Sequence, residues 1–152
     1  MEKVIFLDID GVLNSEEYFI NRQRPYTGDF RRSHDIDSIA IERLNRIMEN
    51  TNTEIVLSSS WRIFPLTEVV SAMNYKGFKY NIKYVTTREY MDRGLQILKF
   101  IQENSVEDYI VLDDEAFDIL KYIPKKQFVK TKWKTGLLDS HAYYIIEYFN
   151  RK

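Results

Sequence analysis

Five short apolar runs, at residues 3–7, 54–57, 81–85, 109–112 and 127–129, are separated by segments whose apolar residues recur at helical spacing. Most of these runs lack apolar–polar alternation, as expected of parallel strands buried on both faces. Between them, Ala40, Leu44, Ile47 and Met48 mark one helix, Leu66, Val69, Val70 and Met73 a second, and Leu95, Leu98 and Ile101 a third. Ala142, Ile145, Ile146 and Phe149 mark a last helix, with Asp139 or Ser140 as its cap. Strand and helix alternate, so the predicted architecture is α/β, a three-layer sandwich around a mostly parallel central sheet. Ligands of such sheets bind beyond the carboxyl ends of the strands, which directs attention to the residues that follow each run.

The first run ends in Asp8-Ile9-Asp10-Gly11-Val12. Side chains alternate along extended backbone, so Asp8 and Asp10 leave on the same side and can reach one point. Two acids this close repel, and a hard cation such as Mg²⁺ relieves them. Gly11 suits a tight turn in which backbone approaches that ion or a ligand. The second run leads into Ser58-Ser59-Ser60-Trp61-Arg62, whose hydroxyls are candidate phosphate donors; Ser59 and Ser60 also read as turn or cap residues. The fourth ends in Asp113-Asp114-Glu115, with Asp118 a turn further on, a second acidic group able to complete a metal shell. Arg93 opens the helix before that strand, where helix dipole and guanidinium can face a phosphate together. Lys99, deeper in the helix, and Arg88, in the preceding loop, are its rivals.

Composition narrows the chemistry. The absence of cysteine excludes thiol nucleophiles, thiolate zinc sites and disulfides, which leaves a cytoplasmic protein as the simplest expectation. The early apolar run is too short for a signal-peptide core or membrane span, so no membrane partner is expected. With 22 basic residues against 23 acidic ones, affinity for nucleic acid has to come from local patches. At 152 residues a single domain is expected over 1–152. Residues 15–37 lack helical or strand periodicity and carry Arg22, Arg24, Arg31 and Arg32, which reads as a long loop or flap near the site. That arginine group, and Lys125, Lys126, Lys130, Lys132 and Lys134, are solvated charge or, alternatively, tracks for a nucleic-acid backbone, with Tyr26, Phe30 or Trp133 as stacking faces. Trp61 reads as a packing residue, and Arg62 is as well suited to a substrate as to a surface acid. His34 and His141 are too isolated for a zinc site, and Tyr143, Tyr144 and Tyr148 read as packing or an oligomer contact.

DIDGV after the first strand, a serine after the second, a basic residue before the fourth and DD at its end resemble the four motifs of the haloacid dehalogenase-like (HAD) superfamily, in order from Lys3 to about Asp118. More narrowly, LDIDGVLN, the helix over 39–50, VLSSSWR and Thr135-Gly136-Leu137 resemble the small HAD domain of Swiss Army Knife RNA repair-like proteins. The resemblance implies a Rossmann-like HAD fold without a large cap domain, and a Mg²⁺-dependent phosphomonoesterase that forms an aspartyl-phosphate. It implies Asp8 as nucleophile and metal ligand, and Asp10 as acid/base partner that also binds the metal through its carbonyl. Ser58, with Ser59, would bind phosphate, Arg93 would balance developing charge, Asp114 would ligate the metal, and Asp113 and Asp118 would support it. Asn14, closing LDIDGVLN, and Arg62 are candidate substrate contacts. By analogy of fold, the substrate would be a nucleotide or a phosphorylated nucleic-acid end. An acid at position 10 favours phosphoryl transfer over carbon–halogen hydrolysis, because an alkoxide leaving group needs a proton.

Two other classes use similar parts. A phospho-acceptor signalling module also groups an acidic pair, a phosphorylated Asp, a hydroxyl and a lysine around Mg²⁺, but with the pair on the first strand and the acceptor in mid-chain, the reverse of the order here. A non-catalytic HAD-fold binding protein is the third reading, and the intact acids weigh against it.

Overall fold

The computed structural model describes residues 1–22 and 35–151. Its sheet has five strands, β1 (Lys3–Leu7), β2 (Glu54–Leu57), β3 (Tyr84–Val85), β4 (Asp108–Asp113) and β5 (Phe128–Lys130), in the order β3-β2-β1-β4-β5. Every pairing is parallel. The helices are α1 (Glu16–Arg22), α2 (Ser38–Thr51), α3 (Leu66–Tyr75), α4 (Arg93–Asn104) and α5 (Asp139–Asn150).

The alternation of side chains along the central strands sorts them into two layers. Ile5 and Leu7 of β1, Ile55 and Leu57 of β2, and Ile110 and Leu112 of β4 pack with the apolar faces of α2, α3 and α5. Val4, Phe6, Val56 and Val111, one residue out of phase, pack with Ile97 and Phe100 of α4 and with Ile119 and Ile123. Continuous apolar runs are therefore what these strands require, since each face meets a helix layer. Asp37 caps α2, its carboxylate accepting from Ile39 N at 2.9 Å. Asn52 and Ser105, both in the left-handed region, close α2 and α4.

Several sequence expectations change. Residues 15–37 are not loop throughout: α1 starts right after Ser15, whose hydroxyl accepts from Tyr18 N at 3.1 Å. Arg22 does not face outward as part of a track but reaches buried Asp35 at 3.6 Å and stacks over Tyr18. Arg24, Tyr26, Phe30, Arg31, Arg32 and His34 lie outside the described residues. The expected strand at 81–85 shrinks to Tyr84–Val85, both exposed, because it pairs on one side only. In α4 the fully buried residues are Gly94, Gln96, Ile97 and Phe100, while Leu98 and Ile101 of the expected stripe pack partly buried against the same layer. Leu138, not Asp139 or Ser140, precedes the first turn of α5; Asp139 bonds to Arg43 and Arg46, each at 3.0 Å, and ties α5 to α2. No described helix is long and apolar enough to cross a membrane.

Candidate active site

The parallel register brings the strand ends into one row. Leu7 pairs with both Leu57 and Leu112, so the residues that follow, Asp8, Ser58 and Asp113, stand side by side at the carboxyl edge of the sheet. The ladder runs one bond further at each strand: Asp8 N donates to Leu112 O at 3.0 Å, Ser58 N to Leu7 O at 2.8 Å, Thr86 N to Leu57 O at 3.0 Å and Thr131 N to Asp113 O at 3.1 Å. The backbone under the site is thereby held by the sheet itself.

Three carboxylates meet there. Asp8, Asp113 and Asp114 each offer an oxygen within 4.8 Å of the others, and Asp8 and Asp113 are 4% and 1% exposed. Among the described residues their mutual repulsion is answered by one guanidinium. Arg93 Nη1 lies 2.7 Å from Asp113 Oδ2 and 3.5 Å from Asp8 Oδ1. Burial works against the charge on Arg93, but Asp113 and then Asp8 override it and hold the group firmly protonated. Burial first, then the charge of Asp113, pushes the Asp8 carboxyl well above its usual range, with Arg93 opposing them. Burial raises Asp114 as well. One cation is too few for three acids, and the all-oxygen donor set fits a hard divalent ion that would relieve both raised groups. The turn over 8–11 is shaped for this approach. Gly11 has φ +80, and a Cβ there would stand 2.2 Å from Asp114 Oδ2, so a side chain at 11 would displace that carboxylate.

Arg93 is aimed by the start of its helix. Its backbone N donates to Asp118 Oδ2 at 3.0 Å, so Asp118 acts on the site by anchoring α4. Gly94 permits the approach, because a Cβ there would meet Tyr122 Cδ2 at 2.6 Å and Asp118 O at 2.9 Å. Lys99 lies away from this group and pairs with Glu103 at 3.1 Å on the exposed side of α4.

Asp10 stands outside this group of three. Its carboxylate accepts from Asn14 Nδ2 at 2.9 Å and from Trp61 Nε1, 3.2 Å from each oxygen. Asn14, 1% exposed, is not open to a substrate as a candidate contact should be; it also receives Gly11 N at 2.8 Å and donates to Asp35 O at 2.9 Å. Ser59 is likewise engaged within the chain. Fully buried, it caps the 3-10 helix Ser60–Ile63 by accepting from Trp61 N at 3.2 Å, which sets the indole facing Asp10. Trp61 is thus more than packing, although its sequence signal, a tryptophan four residues past a strand end, points equally to a core.

Two buried hydroxyls on the row, Ser58 Oγ and Thr86 Oγ1, have no hydrogen-bond partner among the described residues. A donor left unmatched on folding loses its water for nothing unless a ligand takes it up. Thr86 went unnoticed in the sequence because its strand is only two residues long, yet it follows that strand as Ser58 follows β2. Beside Arg93 opens a cleft of about 260 Å³ lined by Arg62, Met91, Arg93, Gln96, Glu115, Phe117 and Asp118. Gln96 accepts from Arg62 Nη2 at 2.8 Å and donates to the Tyr90 carbonyl, which holds the Arg62 guanidinium over the cleft without neutralising it. Burial, then repulsion from Arg93 and Arg88, pushes the Arg62 guanidinium down. An anion placed between the two arginines would reverse this.

The family model described as "HAD domain in Swiss Army Knife RNA repair proteins" matches residues 4–142. No curated protein and no solved structure matches the chain.

Proposed function

Because the chain belongs to the family of HAD domains in Swiss Army Knife RNA repair proteins, we propose that it is a Mg²⁺-dependent phosphomonoester hydrolase acting on nucleotides or phosphorylated nucleic-acid ends. The observation that carries this reading is the meeting of Asp8, Asp113 and Asp114 within 4.8 Å, with the Arg93 guanidinium on Asp8 and Asp113. Such a group rejects an anionic substrate unless a cation joins it, and welcomes a phosphoryl group once one does. Mg²⁺ held by Asp8, Asp114 and the Asp10 carbonyl would screen the phosphate charge from Asp8.

In this reading an Asp8 carboxylate oxygen attacks phosphorus while the bond from phosphorus to the ester oxygen breaks. Asp10 gives its proton to that leaving oxygen, releasing the alcohol. Water then attacks the phosphorus of the aspartyl-phosphate, Asp10 takes the proton, and inorganic phosphate leaves with the Asp8 carboxylate restored. Arg93 and the unpartnered Ser58 hydroxyl would bind the equatorial phosphate oxygens. Asn14 and Trp61 would hold Asp10 in the orientation for both transfers, and Ser59 would act through Trp61. Arg62 would reach the substrate from the cleft, with Met91 and Phe117, 99% and 82% exposed, flanking the leaving group.

The test is phosphate release from a panel of nucleotides, sugar phosphates and 5′- or 3′-phosphorylated oligonucleotides, with Mg²⁺ and with EDTA. Turnover that needs the cation and favours nucleotides or oligonucleotide ends is the expected result. No release from any member would sink the reading, and slow-decaying phosphate on Asp8 without turnover would favour a signalling module.

Trp61→Phe removes the indole N–H that reaches Asp10 and leaves a smaller, six-membered aromatic ring in a site that is 2% exposed. A hydrogen bond to a charged group is worth about 1.5–3 kcal/mol, so kcat should fall about ten-fold or more. Tm should also fall, because phenyl leaves part of the buried indole volume empty, so kcat is read well below it; an unchanged kcat would remove Trp61 from the account.

A further inference from the structure

Residues 119–138 hold six lysines, Lys121, Lys125, Lys126, Lys130, Lys132 and Lys134, and no acid, so in a chain of net charge -1 the remaining residues carry -7. All six are exposed, and none has a carboxylate within 4.0 Å among the described residues. Asp139 is occupied by Arg43 and Arg46, Asp108 by Arg151, and Asp113 by Arg93. The charge is therefore not balanced locally.

Three of these lysines border one groove. Lys125, Lys126 and Lys130 line it with Phe128, His141 and Tyr144, between edge strand β5 and helix α5, in a volume of about 710 Å³. Tyr144 is 43% exposed, and its hydroxyl is anchored on Lys126 O at 2.7 Å, which fixes an aromatic ring beside the ammonium groups. One border of the groove, Lys130, is level with the site across the sheet. Lys130 pairs in register with Asp113, and the next residue, Thr131, donates its hydroxyl to Gly11 O at 2.6 Å. Lysines on an edge strand also discourage pairing between chains, but that role uses Lys130 alone and leaves Lys125, Lys126, Lys132 and Lys134, outside the strand, without a purpose.

We propose that the β5–α5 groove is a docking track for single-stranded nucleic acid, its phosphates on Lys125, Lys126 and Lys130 and a base against Tyr144, which leads the strand's end to the carboxyl edge of the sheet. Cationic grooves with an aromatic face bind single strands with little sequence preference. The choice of polyanion rests on the function proposed above, but the binding does not need turnover.

The experiment is fluorescence anisotropy of a labelled single-stranded oligoribonucleotide without terminal phosphate, across a salt series, with wild type, the triple variant Lys125→Gln/Lys126→Gln/Lys130→Gln, and the matching triple Lys→Arg variant. For single strands the slope of log K against log salt is about -0.7 per phosphate contact, so the Gln variant should lose about 2 from the slope and roughly ten-fold or more in affinity at low salt. The Arg variant should bind as wild type does. No binding at low salt, or equal affinity and slope in the Gln variant, overturns the track. So does lysine-dependent binding to vesicles of anionic phospholipid by a protein that ignores the oligonucleotide. An enzyme that proves inactive on every phosphoester leaves this test intact.

Discussion

Asp8→Asn should abolish phosphate release while making the metal-free chain more stable. Loss of a nucleophile removes the covalent route, and kcat should drop by roughly four orders of magnitude or more. Stability should move the other way, because Asp8 is 4% exposed and its carboxyl is raised by burial and by Asp113. The folded group holds its proton more tightly than the unfolded one. Between its ordinary 3.8 and the raised value, the folded chain binds the extra proton, so stability falls as pH rises through that window. Asn carries no such charge, and Arg93 keeps Asp113 as its partner. A gain of about 1 kcal/mol at neutral pH would raise Tm by about 2–4 °C. Mg²⁺ should then raise the Tm of wild type more than that of the variant, since a ligand stabilises only the state that binds it. Melting curves recorded from acid to neutral pH, with and without Mg²⁺, check this. Retained turnover would remove Asp8 as nucleophile, and parallel pH dependences would refute the electrostatic argument.

Arg93→Met should be among the most destabilising single changes in the protein. It leaves Asp113, 1% exposed, and Asp8 without their shared cation. Removing one partner of a buried ion pair typically costs about 3–5 kcal/mol, a large share of the stability of an ordinary domain. Phosphate release should fall below detection in the same variant. Arg93→Lys should recover only part of either property, because an ammonium does not reproduce the planar fork of donors. If the cost is the stranded Asp113, then Asp113→Asn combined with Arg93→Met should lose less than the sum of the two single changes. Denaturant unfolding of the four proteins measures it. A loss under about 1 kcal/mol for Arg93→Met would mean that water or rearrangement, not Arg93, compensates these acids.

Much of the site was legible because strand ends are readable. Asp8, Ser58 and Asp113 each follow an uninterrupted apolar run, and runs buried on both faces leave few alternatives to a parallel sheet. Helical position favoured Arg93 over Lys99, and in the structure Arg93 pairs with Asp8 and Asp113 while Lys99 pairs with Glu103. What stayed hidden was direction. Asn14, Ser59 and Arg62 are all candidate contacts by type, Ser59 equally a cap and Arg62 equally a partner for a surface acid, whereas Asn14 and Ser59 are bound inside the chain and Arg62 faces a cleft. Their types are equally good as ligands and as supports, so nothing local separates the two roles. At Glu16–Arg22 the loop reading gave way for another reason: a seven-residue helix such as α1 gives too few turns for a period to emerge.

The order of apolar and polar residues by itself determined the layers, the parallel strands and the acids and hydroxyl at their ends, because hydrophobic period and strand termination are properties of neighbours along the chain. Which groups meet was decided only by tertiary structure. The 2.7 Å pairing of Arg93 with Asp113, and the indole of Trp61 beside Asp10, join residues 20 and 51 positions apart. A contact of that kind depends on how helices seat on the sheet, and no window of sequence contains it.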